Sequence, residues 1–386
     1  MKPDPVHGQA TALVLQGGGA RGAYQVGALR AISEIMRRRK SPFPIVCGSS
    51  VGAINAAPLA VASMHFPRGV RRLERLWRSL HCGSVYETRM APLLGTALRW
   101  LTTLVLGRFG HIGPSSLLDN SPLARLLERE VHPDAISRAI ACDALHALCI
   151  TASSYDHGKA VTFFQANATL KEWSRARRSG ERTRITPEHL LASSALPFVF
   201  SPVELGGAYY GDGSMRLTSP LSPAIHSGAD RILVIAARDH EPEPNSESPH
   251  INPSFGEMVG HALDILFNDN LDSDHERLIR INHTLSLLSD EGRQKTPLRQ
   301  IESLMLSPSR DLRLIASDHA TELPLAIRLL MRSIGSWGSD GRLVSYLLFE
   351  PGYIGALIDL GYADTMARAD EVREFLLAPA GAAVSL

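Results

Sequence analysis

Cysteine is scarce in this chain of 386 residues, and its spacing excludes two common uses of the residue. The four cysteines, Cys47, Cys82, Cys142 and Cys149, form no Cys-x-x-Cys pair, and two of them lie in apolar, strand-like stretches. Disulfide frameworks and zinc sites need regularly spaced cysteines. We therefore expect free thiols in a reducing compartment, with no disulfide and no bound metal.

An excess of charge is also absent. The chain has 40 lysines and arginines against 39 aspartates and glutamates, which leaves a formal net charge of +1. A chain without a strong field of one sign has no general attraction for nucleic acid. Nucleic acid is therefore not an expected partner.

Long hydrophobic runs are missing, although 44% of the residues are hydrophobic, enough for a sizeable core. No uninterrupted apolar run reaches the ~18 residues of a membrane-spanning helix. The first ten residues are mostly polar and include two prolines. Because no basic segment followed by an apolar one is present, we expect no signal peptide. We expect a cytoplasmic protein with at most peripheral contact with a membrane.

The most informative stretch is Ile45-Val46-Cys47-Gly48-Ser49-Ser50-Val51-Gly52-Ala53. An apolar strand-like run leads into it, and a helical run of small residues, Ala53 to Ala62, leaves it. The centre is Gly-x-Ser-x-Gly, the sequence form of a nucleophile elbow with Ser50 as the nucleophile. Gly48 and Gly52 supply the small residues that a sharp turn requires. A plain Gly/Ser turn between a strand and a helix would have the same letters, so the motif is only moderately specific.

A second glycine-rich loop follows the first predicted strand and reads Gly17-Gly18-Gly19-Ala20-Arg21-Gly22. Gly-x-Gly-x-x-Gly is also the dinucleotide fingerprint, but that fold needs an acid at the end of its second strand, where this chain has Gly48-Ser49-Ser50. A loop that binds nucleoside triphosphates would need Gly-Lys-Ser/Thr, which is absent here. The sequence therefore predicts no bound nucleotide. It predicts a row of backbone N–H groups facing the Ser50 crevice, which is the geometry of an oxyanion hole.

Two further blocks lie downstream. Leu191 to Val203 contains Ala-Ser-Ser-Ala-Leu-Pro-Phe-Val-Phe-Ser-Pro, and Asp212 stands in Gly211-Asp212-Gly213-Ser214. Taken alone, Asp212 reads as a turn aspartate after a strand. Together with the two glycine blocks, the pattern resembles the patatin-like phospholipase family over about residues 12–236. The family's last block is usually Asp-Gly-Gly or Asp-Gly-Ala, so Asp-Gly-Ser departs from it by one small residue.

The resemblance implies both a fold and a chemistry. The expected fold is α/β, a three-layer α/β/α sandwich with a mainly parallel central sheet. The expected reaction is hydrolysis of fatty-acyl esters of lipids or phospholipids through a Ser50–Asp212 dyad and an acyl-enzyme, with the oxyanion hole in Gly17 to Gly22 and no metal or organic cofactor. An unperturbed aspartate has a pKa near ~3.9, so the dyad requires a shielded site that makes Asp212 a stronger base.

Two alternatives stay open. An α/β-hydrolase would use a Ser–His–Asp triad, but that fold places several strands before its elbow, and here only one strand, near Leu13, precedes the strand of Ser50. The other alternative is a relative without activity that binds a lipid or an anion, and the presence of both Ser50 and Asp212 argues against it. The histidines available for a triad lie downstream of the elbow: His226, His240, His261 and His319.

The chain divides into a core and an extension. We expect a catalytic core over 11–240, with a cap or lid inserted at about 84–118, and a mostly helical C-terminal extension over 241–386 packed on the core. The cap is rich in leucine and includes Trp100 and Phe109. It is therefore the expected segment of contact with lipid.

Three shorter segments also carry expectations. Lys171 to Arg184 mixes charges of both signs and is expected to be a solvated surface segment. Within the extension, Leu304 to Ser307 and Leu312 to Ala316 are expected to be short strands.

Overall fold

A computed structural model describes residues 10–89, 116–238, 254–337 and 341–377 of the chain. Within these ranges, ten strands form one sheet. The strands are β1 (Thr11–Leu15), β2 (Ile45–Ser49), β3 (Ala147–Ser154), β4 (Ala160–Ala166), β5 (Trp173–Arg175), β6 (Arg178–Arg182), β7 (Val203–Leu205), β8 (Ala208–Gly211), β9 (Arg231–Ile235) and β10 (Glu302–Leu306).

Five neighbouring strands of the sheet are parallel, in the order β10-β9-β1-β2-β3. Beyond them, β4 runs antiparallel to β3, β6 pairs with β4, and β5 closes the edge. The end of β3 also pairs with β8, which forms a hairpin with β7. Because β1 and β2 are parallel neighbours, the loops that follow them lie side by side at one edge of the sheet.

Helices fill both faces of the sheet. They are α1 (Ala23–Met36), α2 (Val51–Val61), α3 (Phe66–Arg78), α4 (Cys82–Val85), α5 (Ser121–Glu130), α6 (Pro133–Ala141), α7 (Pro187–Ser193), α8 (Ser222–His226), α9 (Phe255–Asp264), α10 (Asn270–Ser286), α11 (Asp290–Lys295), α12 (Leu312–Asp318), α13 (Leu325–Ser333), α14 (Arg342–Leu347), α15 (Pro351–Ala367) and α16 (Ala369–Leu377). A single π-helical turn, Ile265–Asp269, joins α9 to α10.

Alternate residues of the parallel strands enter two separate hydrophobic cores. Leu13 and Leu15 of β1 pack with α1, α2 and α3 on one face. Val14 and its neighbour Cys47 on β2 pack with α8 and α10 on the other face. This period of two, with both faces apolar, is what a buried parallel sheet requires. The predicted three-layer fold with a mainly parallel sheet is confirmed.

Two segments differ from their sequence-based expectations. Lys171 to Arg184 does lie at the surface, but it forms the edge pair β5 and β6, which its charged composition did not indicate. The strand expected at Leu312 to Ala316 is wrong, because this segment forms α12. Its buried residues Leu312, Ile315 and Ala316 have helical spacing, and the Asp311 side chain caps the helix by accepting from the Arg313 N–H.

The C-terminal region contributes to the sheet as well as to the helices. Strand β10 overlaps the expected strand at Leu304 to Ser307, and it pairs with β9 in parallel register. Of the expected cap at 84–118, residues 90–115, including Trp100 and Phe109, lie outside the described ranges.

Two general expectations concern membranes and thiols. In the ranges that the structure describes, no helix combines the length and the apolar character needed to cross a bilayer. The four cysteines are free, and only Cys142 is exposed.

Candidate active site

Ser50 occupies a sharp turn between β2 and α2. Its backbone angles, φ 52° and ψ −129°, belong to a region that L residues rarely adopt. The turn is tight enough that a Cβ atom at Gly48 would lie 2.3 Å from the Gly52 carbonyl oxygen, and one at Gly52 would lie 2.1 Å from that of Leu15. Both glycines are therefore required by contact, as the Gly-x-Ser-x-Gly pattern predicts.

Ser193, at the end of α7, holds the strained turn in place. Its hydroxyl accepts a hydrogen bond from the Ser50 N–H at 3.0 Å and donates one to the Thr151 carbonyl at 2.6 Å. Ser193 lies in the Leu191 to Val203 block, which the sequence analysis singled out. No role was predicted for Ser193 itself.

The glycine loop lies beside the turn. Gly18 has φ 155° and Gly19 has φ 56°, conformations that favour glycine. The loop closes a single 3₁₀ turn, in which the Arg21 N–H donates to the Gly18 carbonyl at 3.2 Å. Among the described residues, we find no hydrogen bond from the N–H groups of Gly18, Gly19 and Ala20 to another part of the protein. These three N–H groups are therefore available as donors, whereas that of Arg21 is already used.

The side chain of Arg21 contacts the C-terminal region. It is 2% exposed and forms an ion pair with Asp264 of α9, with Nη1 and Oδ1 3.3 Å apart. It also donates to the Ser345 hydroxyl and lies over the Tyr346 ring, 3.9 Å from its centroid. Arg21 is one of the six residues predicted to form the oxyanion hole, and its side chain makes a structural contact with the C-terminal region.

A network of buried polar side chains holds the glycine loop in place. Gln25 of α1 donates to the Gln16 carbonyl at 2.7 Å and accepts from the Asn55 amide of α2 at 2.9 Å. Asn55 in turn accepts from the Trp77 indole of α3 at 2.8 Å and donates to the Gly22 carbonyl at 3.1 Å. The network fixes both ends of the loop to three helices. No local pattern in the sequence indicates this network, because its members are far apart in the chain.

Asp212 follows β8 and is fully buried. Its N–H donates to the Ala195 carbonyl at 2.8 Å, and its Oδ1 accepts from the Ser214 N–H at 2.9 Å. A Cβ atom at Gly213 would lie 2.0 Å from the Thr151 carbonyl oxygen, so the Asp-Gly step is packed directly on β3. The carboxyl group is thus held rigidly at the same edge of the sheet as Ser50.

Burial raises the pKa of Asp212 to about 6, and the Ser50 hydroxyl and the Ser214 N–H partly offset that rise. The Ser50 hydroxyl therefore lies beside the carboxyl group. Among the described residues no hydrogen bond joins the two side chains, and Asp212 Oδ2 has no partner there. The sequence-based requirement for a shielded, more basic Asp212 is consistent with this environment.

An apolar cavity of about 60 Å³ opens at Ser50 and Gly19. The glycine loop and the serine thus face one space, which was the spatial premise of the oxyanion-hole prediction. Most of the wall consists of aliphatic and aromatic side chains from α2, α3 and α5 and from the C-terminal region. The other lining residues are Val51, Ile54, Leu76, Trp77, Leu80, Val85, Leu123, Leu126, Ser194, Leu196, Phe200, Phe267, Tyr346, Leu347 and Phe349.

Three of the four candidate histidines contact other residues. His226 stacks on Trp173 and bonds to Ser222. His261 contacts Arg342, and His319 pairs with Glu322. His240 lies outside the described residues. Within the described ranges, no group of three or more His, Cys, Asp or Glu side chains is arranged to hold a metal.

The sequence matches the family model described as patatin-like phospholipase over residues 13–225. Among curated proteins, a cGAMP-activated phospholipase of Vibrio cholerae is 26% identical over 229 residues, which are 56% of this chain and 57% of that protein. The chain thus spans little more than half the length of this relative.

Two solved structures are similar to this chain at low identity and at low TM-score. Human GIVD cytosolic phospholipase A2, in complex with methyl gamma-linolenyl fluorophosphonate, aligns with 95% of this chain and 59% of its own chain, at 12% identity and a TM-score of 0.42. VipD from Legionella pneumophila aligns with 94% of this chain and 67% of its own, at 13% identity and a TM-score of 0.31.

Proposed function

Because the chain belongs to the patatin-like phospholipase family, we propose that it is a serine acyl hydrolase that cleaves fatty-acyl esters of lipids or phospholipids. Ser50 is the proposed nucleophile and Asp212 the proposed base. The observation that carries the proposal is the opening of one apolar cavity at both Ser50 and Gly19, beside a buried carboxyl group with one unpaired oxygen.

The first half of the reaction forms an acyl-enzyme. Ser50 Oγ attacks the ester carbonyl carbon while its proton passes to Asp212 Oδ2. The negative charge that develops on the carbonyl oxygen is stabilised by the N–H groups of Gly18, Gly19 and Ala20. Collapse of the tetrahedral intermediate breaks the bond to the alcohol oxygen, which takes the proton back from Asp212.

The second half releases the fatty acid. A water molecule attacks the acyl carbon and gives its proton to Asp212, and the Ser50 oxygen leaves with that proton. A base with a pKa of about 6 is ionised at neutral pH and is still far more basic than an ordinary aspartate. Burial therefore allows a carboxylate to take the place of the usual histidine.

The cavity supports a fatty-acyl group as the part of the substrate that binds here. Its wall is made almost entirely of hydrocarbon side chains, and Ser50 is part of that wall. Burying an acyl chain there yields roughly 0.8 kcal/mol per methylene. Contact with a lipid surface is proposed for the cap at 84–118, as a peripheral attachment.

The purified protein can be tested directly on esters. Release of fatty acid from phospholipid vesicles and from nitrophenyl esters of increasing chain length is the expected result. The relative from Vibrio cholerae is named for activation by cGAMP, so each assay is run with and without that nucleotide. Absence of hydrolysis of every acyl ester under both conditions would contradict the proposal.

A further inference from the structure

The C-terminal region beyond the matched family segment contacts the glycine loop at several points. We infer that Asp264 and Tyr346 are positioning residues that set the orientation of the oxyanion loop through Arg21. This inference rests on the proposed function, since it assigns a role to that loop in catalysis. It places part of the catalytic machinery outside residues 13–225.

The link is a buried cluster around the Arg21 guanidinium. Asp264 Oδ1 lies 3.3 Å from Arg21 Nη1 and accepts a hydrogen bond from the Tyr346 hydroxyl at 2.7 Å. The Tyr346 ring lies under the guanidinium, and the Ser345 hydroxyl accepts from its Nε at 2.9 Å. Arg21, Asp264 and Tyr346 are 2%, 5% and 1% exposed, so solvent does not weaken these contacts.

The same C-terminal elements also contact the loop backbone. A Cβ atom at Gly19 would lie 2.3 Å from the Tyr346 carbonyl oxygen, and one at Gly17 would lie 2.8 Å from the Phe267 ring. Phe267 lies in the π-helical turn that follows Asp264, and its carbonyl accepts a hydrogen bond from the Gln16 side chain. π-Helical turns are rare and are often found at functional sites.

These contacts matter because the buried network of Gln25 and Asn55 fixes the ends of the loop, whereas Gly18 and Gly19 lie between those ends. The N–H groups of Gly18 and Gly19 have to stay unbonded within the protein if they are to bind an oxyanion, and glycine backbones are flexible. Oxyanion donors must lie within about 0.5 Å of their productive positions, and a misplacement near 1 Å costs about 10²-fold in rate. A buried charged cluster with one preferred geometry is suited to fixing such a loop.

Asp264→Asn removes the charge that pairs with Arg21 while keeping the shape of the side chain. The matched control is Glu302→Gln, because Glu302 pairs with the buried Arg231 at 2.8 Å in the same C-terminal region but does not contact the loop. Tyr346→Phe is the milder second variant, since it removes only the hydroxyl that Asp264 accepts from. Each variant is assayed on a soluble short-chain ester, and its rate of inactivation by a fluorophosphonate is measured.

Asp264→Asn is expected to lower kcat by about 10- to 100-fold with KM within about 3-fold, because oxyanion binding acts in the transition state. Inactivation by the fluorophosphonate should slow by the same factor, since its phosphoryl oxygen enters the same site. Tyr346→Phe should lower both rates by about 3- to 10-fold. Glu302→Gln should leave both within about 3-fold of wild type.

Equal losses in Asp264→Asn and Glu302→Gln would overturn the inference, because they would indicate general destabilisation. If Asp264→Asn does not fold, Tyr346→Phe decides, and unchanged rates in that variant overturn the inference. The proposed function fails separately, by activity that survives in Ser50→Ala or by a wild-type protein that hydrolyses no ester.

Discussion

The Ser193 hydroxyl accepts a hydrogen bond from the Ser50 N–H at 3.0 Å. Ser193 also donates to the Thr151 carbonyl on β3, so one side chain fastens the elbow to the neighbouring strand. Since Ser50 has a positive φ, the turn would relax if this bond were lost. The orientation of the proposed nucleophile therefore depends on a residue 143 positions away.

Ser193→Ala should lower both activity and stability. The variant removes a hydrogen bond from a buried N–H and one to a buried carbonyl, at a cost of about 1–3 kcal/mol. We expect kcat to fall by about 10-fold or more, measured with a soluble ester. The control is Ser63→Ala, since Ser63 is equally buried and donates only to the carbonyls of Leu59 and Ala60. A Ser193→Ala variant as active as that control would remove the positioning role.

Ser50→Ala should abolish ester hydrolysis without unfolding the protein. Loss of a nucleophile lowers kcat by about 10⁴-fold or more in serine hydrolases. Intact-mass analysis after treatment with a fluorophosphonate should show one adduct on wild type and none on the variant, and peptide mapping should place it on Ser50. An adduct at another serine, or turnover that persists in folded Ser50→Ala, would refute the assignment.

The activity should rise with pH and level off above about pH 7. Asp212 acts only when it is deprotonated, and its pKa is about 6, so kcat/KM should fall about tenfold per pH unit well below that value. A histidine base would give a similar profile because its ordinary pKa is near ~6.5.

Replacement of each candidate histidine by glutamine separates the two explanations. The variants at His226, His240, His261 and His319 should each keep kcat/KM within about 3-fold of wild type. A loss of about 10³-fold in any of them, the scale of a triad member, would support a Ser–His–Asp mechanism.

Asp212→Asn should be inactive but more stable than wild type at pH 8. Folding raises the pKa of Asp212 from 3.8 to about 6, so protonation of this carboxyl group stabilises the folded state. This stabilisation is fully present below pH 3.8 and is lost as the pH rises through about 6. The free energy of unfolding is therefore lower by about 3 kcal/mol at pH 8.

The prediction is checked by denaturant unfolding of both proteins at pH 4 and pH 8. The stability advantage of Asp212→Asn should be larger at pH 8 than at pH 4, because asparagine has no charge to bury. An equal difference at the two pH values would show that the pKa of Asp212 is not raised.

Ile54→Trp should shorten the acyl chain that the enzyme prefers. Ile54 lies one turn after Ser50 on α2 and lines the cavity, so a larger ring would fill the space for the chain. Turnover of a long-chain nitrophenyl ester should fall by about 10-fold or more, relative to the acetate ester. The control is Val61→Trp, since Val61 is on the same helix but is not part of the wall. Unchanged chain-length preference in Ile54→Trp would place the acyl group elsewhere.

The sequence predicts the central part of the fold because its signals are local. The strand, turn and helix around Ser50 follow from small residues at Gly48 and Gly52, and the structure shows the backbone contacts that require them. The strands β1, β2, β3 and β9 are short apolar runs, as expected of a buried parallel sheet.

The remaining features depend on contacts between distant segments. Arg21 and Asp264 are 243 positions apart, and nothing near either residue indicates the other. The last two strands at one end of the sheet, β6 and the edge strand β5, are partly exposed and rich in arginine, so their composition is that of a loop. The segment that forms α12 is short and apolar. In such a segment, a helix can be distinguished from a strand only by the Asp311 cap and by packing.

The position of β10 limits how far the chain can be shortened. Strand β9 lies between β1 and β10, and all five of its residues are buried. If the chain were cut after residue 238, β9 would become an open edge with unpaired backbone groups and an uncovered apolar face. Such an edge pairs readily with another molecule. We therefore expect the isolated segment to aggregate, although it contains both Ser50 and Asp212.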